Sequence, residues 1–159
     1  MSLYNRRNFI FLSLATTGCS FSPVYKSDVG PAFLRGKIVL PKPGSRDDYM
    51  LYSKLEENFG QLENPVFSLS VSYEVSSKGL GSLGSITRYN LIGDATFKLV
   101  NISTGALIIS DTLKAFTSYS ASSQTLATET AARAAQDRLM MSIADQISTS
   151  IMMNYNTNQ

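Results

Sequence analysis

Residues 67–76 alternate without a break. Phe67, Leu69, Val71, Tyr73 and Val75 are apolar; Ser68, Ser70, Ser72, Glu74 and Ser76 are polar. Successive side chains of a strand point to opposite faces, so this segment reads as a strand with one dry and one wet face. Such a strand needs neighbours in a sheet and a layer over its dry side. Two further segments supply the neighbours. Between Ile86 and Val100, Tyr89, Leu91, Ala95, Phe97 and Leu99 share one face, and Arg88, Asn90, Asp94, Thr96 and Lys98 share the other. Between Ala106 and Tyr119, Leu107, Ile109, Leu113, Ala115 and Tyr119 are assigned inward. Asp111 interrupts that apolar set and predicts a bulge or an exposed end there. Lys78 to Ser85 reads as a flexible hairpin tip, and Asn101 to Gly105 as a turn. The glycines of the tip do not form a phosphate cradle, because no helix follows them and no P-loop Lys-Ser/Thr is present.

The covering layer is helical. Gly36 to Leu40 is a short strand stopped by Pro41 and Pro43, which cannot donate to a ladder. Ser45 or Asp47 can cap a helix in which Leu51, Leu55, Asn58, Phe59 and Leu62 make one stripe. Its charged residues Lys54, Glu56 and Glu57 read as a solvated face. A long helix from about Thr125 to Met153 carries Leu139, Ile143, Ile147 and Ile151 at every fourth position. Upstream, Ala127, Ala131, Ala134 and Ala135 let its backbone approach the sheet. Glu129, Arg133 and Asp137 are spaced as a charge ladder on its other side. The fold predicted is α+β: a four-stranded, mostly antiparallel sheet with two helices packed on one face, in the order β-α-β-β-β-α. Residues 36–154 form this single domain, and 155–159 are a polar, disordered tail.

The N-terminus, MSLYNRRNFIFLSLATTGC, has the layout of an export signal. Arg6 and Arg7 form its basic region, Phe9 to Ala15 its apolar core, and small residues follow. The core is too short to span a bilayer. Cys19 closes the small-residue run, where lipoprotein signals end and the thiol takes a diacylglyceryl group. Residues 1–18 are therefore assigned to the signal, and 19–35 to a lipidated N-terminus and extended tether. The export route stays open, since Arg6-Arg7 also resembles a twin-arginine signal.

Composition removes most chemistry. There is no histidine and one cysteine. Histidine-dependent nucleophile systems and Cys-cluster zinc sites are excluded, and no metal or other cofactor is expected. The chain has 14 basic and 12 acidic residues, and loss of Arg6 and Arg7 leaves the mature charge balanced. A neutral chain with 16% charged residues is no nucleic-acid binder. An enzyme built on two carboxylates, such as Glu74 with Asp111, lacks any signal placing them together. No catalytic residue is assigned.

Several short motifs together resemble one family. Cys19-Ser20-Phe21-Ser22-Pro23-Val24-Tyr25 is similar to the Cys-Gly-Phe-x-Pro-Leu-Tyr start of α-proteobacterial LPS-assembly lipoproteins, LptE. Arg88-Tyr89-Asn90-Leu91 resembles that family's Arg-Tyr-x-Leu strand start. Ser118-Tyr119 and Ile143-Ala144-Asp145-Gln146-Ile147 are similar too. The resemblance implies two helices on one face of a four-stranded sheet. It implies a lipoprotein on the periplasmic side of the outer membrane, anchored through Cys19. It further implies a plug and folding partner of an LptD-like β-barrel, needed to assemble lipopolysaccharide in the outer leaflet. In the family, basic residues near the hairpin are linked with lipopolysaccharide phosphate. Lys78 matches that position and, with Arg88, is a candidate contact. Ser120 to Gln124 offers no Lys or Arg. The alternative function is a stand-alone periplasmic lipoprotein that binds a small amphiphile or a cell-wall component.

Overall fold

A computed structural model of the chain describes residues 31–82 and 85–157. The export signal and Cys19 lie outside the described residues. A 3₁₀ turn, Pro31–Leu34, precedes β1 (Ile38–Val39) and α1 (Arg46–Phe59). Then come β2 (Phe67–Ser82), β3 (Ser85–Asn101), β4 (Leu107–Ser120) and α2 (Thr125–Thr157). The sheet order is β1-β2-β3-β4. β1 runs parallel to β2, and the other two pairs are antiparallel. Parallel neighbours need a crossover, and α1 provides it. The α+β architecture and element order are those predicted, with both helices on one face.

The ends of α1 follow from local chemistry. Ser45 is its N-cap, and its Oγ accepts a hydrogen bond from the Asp48 amide at 3.1 Å. Asp47 and Asp48 sit in the first turn, where the helix dipole favours negative charge. Gly60 ends the helix at φ 80°, and its amide donates to the Glu56 carbonyl at 2.7 Å. Leu51, Leu55 and Phe59 are buried. Leu62, predicted on the same stripe, is 51% exposed because the chain has already turned away at Gly60. On α2, Ala135, Leu139, Met140, Ile143, Ala144, Ile147 and Ile151 are buried.

The two helices lie side by side and run parallel. Arg46 pairs with Asp137 at 2.9 Å, and twelve residues along, Asn58 Nδ2 donates to Asp145 Oδ1 and Ser148 Oγ, both at 3.0 Å. Asp137 thus reaches across to α1 instead of completing a ladder with Glu129 and Arg133. Asn58 belongs to this polar seam, although its spacing put it among apolar neighbours. α2 also continues through Thr157, into the stretch read as a polar tail. Tyr155 stacks there on Phe33, with ring centroids 5.8 Å apart. Among the described residues, no helix is long and apolar enough to cross a membrane.

Three features of the sheet depart from the sequence reading. First, most of the predicted hairpin tip is ladder. Pairing of β2 with β3 continues to Ser82 opposite Ser85, with one register shift at Leu80/Gly81. Backbone pairing does not need apolar side chains, so a Gly/Ser run can extend a strand that periodicity does not reveal. Second, Leu107 points outward and is 57% exposed. Third, the bulge lies at Leu99/Val100, where Ile109 opposes Leu99 but Leu107 opposes Val100. The extra residue reverses the alternation, which is why Leu107 changes face. Asp111 is in register opposite Phe97 and exposed; β4 is the outermost strand, and Asp111 accepts a hydrogen bond from Ser150 on α2 at 3.0 Å.

Gly93 brings α2 down onto the sheet. A Cβ built there would lie 3.0 Å from Ile143 Cδ1 and 3.3 Å from Leu139 Cδ2. Gly93 pairs directly with Ala115, so two small residues make the depression into which the helix packs.

Candidate functional site

With α1 and α2 on one face, no other described element covers the opposite face of the sheet. Its rows follow from the register. Ser72, Thr96 and Thr112 make one; Glu74, Asp94 and Lys114 the next; then Ser76, Ile92 and Phe116; then Lys78, Asn90 and Ser118; then Leu80, Arg88 and Ser120. Some of these groups satisfy one another, while Glu74, opposite Asp94, and Lys98, in the row preceding Ser72 with Ser70 and Ser110, have no ion pair among the described residues. The Thr96 and Thr112 hydroxyls hydrogen-bond at 3.0 Å, and Lys114 pairs with Asp94 at 2.6 Å. Glu74 and Asp94 are matched in number by Lys98 and Lys114, so this part of the face has no net charge, and its other groups are mostly hydroxyls.

Toward the tip the chemistry changes. Lys78 and Arg88 lie on this same face, one row apart on adjacent strands. Diagonal neighbours of this kind hold their Cβ atoms about 7–8 Å apart. Both are exposed, and neither has an ion-pair partner among the described residues. Leu80, directly opposite Arg88, is 41% exposed. The structure thus brings the two sequence-predicted contact residues together and adds an apolar neighbour between them. Two cations beside an exposed leucine can receive an anion attached to an apolar body.

Periodicity missed Phe116. It is 69% exposed on the uncovered face, beside Ile92. The signal available was an aromatic side chain out of phase with the inward set of β4. Across the sheet, Tyr89 and Tyr119 stack at 5.2 Å on the helix side. Glu74 and Asp111 do not form a site: Glu74 opposes Asp94 on the uncovered face, whereas Asp111 opposes Phe97 on the helix side. Cys19 falls outside the described residues and is not placed.

One titratable pair ties the sheet to α1. Tyr73 Oη donates to Asp48 Oδ1 at 2.7 Å. Burial, reinforced by the carboxylate, pushes the Tyr73 hydroxyl up to about 12. The same hydrogen bond, with help from the Gly44 and Ser45 groups, holds Asp48 below its ordinary value.

The LptE family model, described as lipopolysaccharide-assembly, matches residues 35–151. No curated protein matches the sequence. Among solved structures, a Caulobacter crescentus protein regarded as a lipoprotein superposes with a TM-score of 0.64 at 18% identity, covering 78% of this chain and 96% of that one. A minor lipoprotein from Acinetobacter baumannii gives 0.54 at 27% identity, covering 74% and 90%. Rare lipoprotein B from Shewanella oneidensis gives 0.50 at 18% identity, covering 72% and 91%.

Proposed function

The chain belongs to the LptE family of lipopolysaccharide-assembly proteins, and from that premise we propose that it works as an outer-membrane lipoprotein filling the lumen of an LptD-like β-barrel. Cys19 carries the lipid, placing the domain on the periplasmic side. The role is non-catalytic: the chain helps the barrel fold and supports delivery of lipopolysaccharide to the outer leaflet. The observation that carries this reading is the uncovered sheet face. Outer-membrane barrels have polar interiors. An occupant must offer hydrogen-bonding groups without leaving buried charges unpaired. Rows of Ser and Thr, with Asp94 matched to Lys114, suit such a lumen, and Glu74 and Lys98, one of each sign, are left to pair with the barrel wall. Lys78 and Arg88, beside Leu80, are the candidate lipopolysaccharide contact, and such a contact weakens as salt rises.

The test is capture of the full-length chain from membranes in mild detergent. The expected result is co-purification of a β-barrel membrane protein through an interface above about 2,000 Å². Recovery as a lone monomer carrying a small amphiphile or a cell-wall fragment overturns the reading in favour of a stand-alone lipoprotein.

A further inference from the structure

β4 is the last strand of the sheet, so one of its edges is unpaired within it. The register decides which groups that edge exposes. The Ala121 amide donates to the Thr87 carbonyl at 2.9 Å, which marks these two as a hydrogen-bonded pair. Such pairs alternate along an antiparallel ladder. Tyr119, Thr117, Ala115 and Leu113 therefore turn their backbone groups to β3. Ser118, Phe116, Lys114 and Thr112 turn theirs to the open edge.

Side chains close both ends of this edge. Arg138 Nη2 donates to the Ser118 carbonyl at 3.4 Å, and Asp111 Oδ1 accepts from the Thr112 amide at 2.8 Å. Between them, the outward amides and carbonyls of Lys114 and Phe116 meet no partner among the described residues. A bare edge is a template for another chain, and side chains that block part of it fix where pairing can occur. Here they leave a window in the middle.

α2 runs antiparallel to β4 beside this window, with Arg138 at Ser118 and Ser150 donating to Asp111 at 3.0 Å. An open groove of about 760 Å³ lies along them, lined by Leu113 of β4 and by Met141 and Met153 of α2. Met141 is 37% and Met153 67% exposed, so the helix carries apolar surface beside the last strand. Of the charged lining residues, Arg138 holds Ser118, and Asp145 reaches Lys54 of α1 at 4.0 Å. Asp111 has no cationic partner among the described residues.

We propose that this window receives a short extended segment of a partner protein, added antiparallel to β4, with alternate apolar residues against α2 and a lysine or arginine against Asp111. Main-chain hydrogen bonds to Lys114 and Phe116 hold the segment, and the groove selects its side chains. Thr112 to Ser118 spans about 20 Å of strand, which sets the length at about seven residues. Positions opposite Thr117, Ala115 and Leu113 fall on the helix side and are apolar. The position opposite Asp111 is basic by charge complementarity. The positions between them extend the hydroxyl-rich uncovered face and are polar. A closed barrel has no free strand edge to offer, so the segment belongs to a loop or a terminal stretch of the partner. The proposal is independent of what surrounds the uncovered face.

The test uses the full-length protein in lipid nanodiscs and a synthetic probe, acetyl-Val-Thr-Val-Thr-Leu-Ser-Lys-amide. Antiparallel docking sets its two threonine amides toward Phe116 and Lys114 and its lysine opposite Asp111. N-methylation of the second threonine is expected to weaken binding at least about tenfold. N-methylation of the valine between the threonines, whose amide points away from β4, is expected to weaken it less than about threefold. Glutamate in place of the probe's lysine is expected to weaken binding at least about threefold, less as salt rises, and Asp111→Lys to reverse that preference. Hydrogen exchange is expected to slow at the Lys114 and Phe116 amides far more than at Ala115 and Thr117. Absence of saturable binding, equal losses from the two N-methylated probes, an unreversed charge preference or protection elsewhere overturns the proposal. Self-association of the chain that the probe disrupts assigns the edge to a second copy and also overturns it.

Discussion

The two ends of the same sheet are built on opposite rules. At the root, Leu69, Phe97, Leu99 and Ile109 are buried beneath the helices. At the tip, no described side chain from Ser76 to Arg88 is buried. α2 repeats the division: its buried positions begin at Ala135, and none falls between Thr125 and Ala134. The root is held by side-chain packing, the tip by the backbone ladder of β2 and β3. Side chains that hold nothing together are free for other work. Lys78, Leu80, Ile86 and Arg88 are all of this kind, whereas almost any change among the root residues costs stability.

The largest test of that division is truncation of a side chain at each end. Leu139 is fully buried. Leu139→Ala is expected to destabilise the domain by about 2–5 kcal/mol through lost burial and the cavity left behind. Leu80→Ala, at the tip, is expected to change stability by less than about 0.5 kcal/mol. Urea denaturation of the two variants measures both. Similar losses would mean that the tip has packing of its own and that the two ends are not distinct.

Glycine substitution sharpens the comparison. Gly93→Ala puts a methyl against Ile143 and Leu139, both fully buried and unable to retreat. Overpacking of this kind costs about 1–3 kcal/mol. Gly79→Ala meets Ile86 Cδ1 at 2.9 Å, a closer approach on paper. Ile86 is 51% exposed, however, and its end can swing into solvent. The Gly79 variant is therefore expected to lose less stability despite the shorter distance. The reverse ranking in denaturation midpoints would show that contact distance, not freedom to relax, governs these sites.

The same division explains what could be read from the sequence. Alternation located the inward residues of β2 and β3 because burial on one face imposes period two. At the tip no described side chain is buried, so no pattern is imposed, and Lys78 to Ser82 reads as a loop while being a strand. Carrying the alternation on from Val75 would have put Lys78 on the polar face, alongside Arg88. The family resemblance, not periodicity, picked out those two cations. Leu107 was misplaced because one extra residue in a bulge inverts every parity beyond it. Asp137 was misassigned because its partner Arg46 is 91 positions away, outside any local spacing. Phe116 obeys the strand's phase but not its polarity, so polarity alone does not assign its face.

Tyr73 stands where the two regimes meet: half-buried, with its hydroxyl on Asp48 at the start of α1. Tyr73→Phe keeps the ring and removes that hydrogen bond, for an expected loss near 1 kcal/mol at neutral pH. The pH dependence identifies the cause. Asp48 is held below its ordinary value in the folded state, so its contribution is present above the unfolded carboxylate's pKa. It disappears as pH falls through the folded one. The hydroxyl of Tyr73 is raised from 10.0 to about 12. Above the unfolded value the denatured chain ionises first, so this contribution is complete below pH 10 and declines toward pH 12. The gap between wild type and Tyr73→Phe should therefore be widest near neutrality and narrow at both extremes. Denaturant titrations across the pH range read the gap directly. A gap that stays constant with pH would assign the loss to packing at the boundary and leave the Tyr73–Asp48 bond without a share in holding α1 to the sheet.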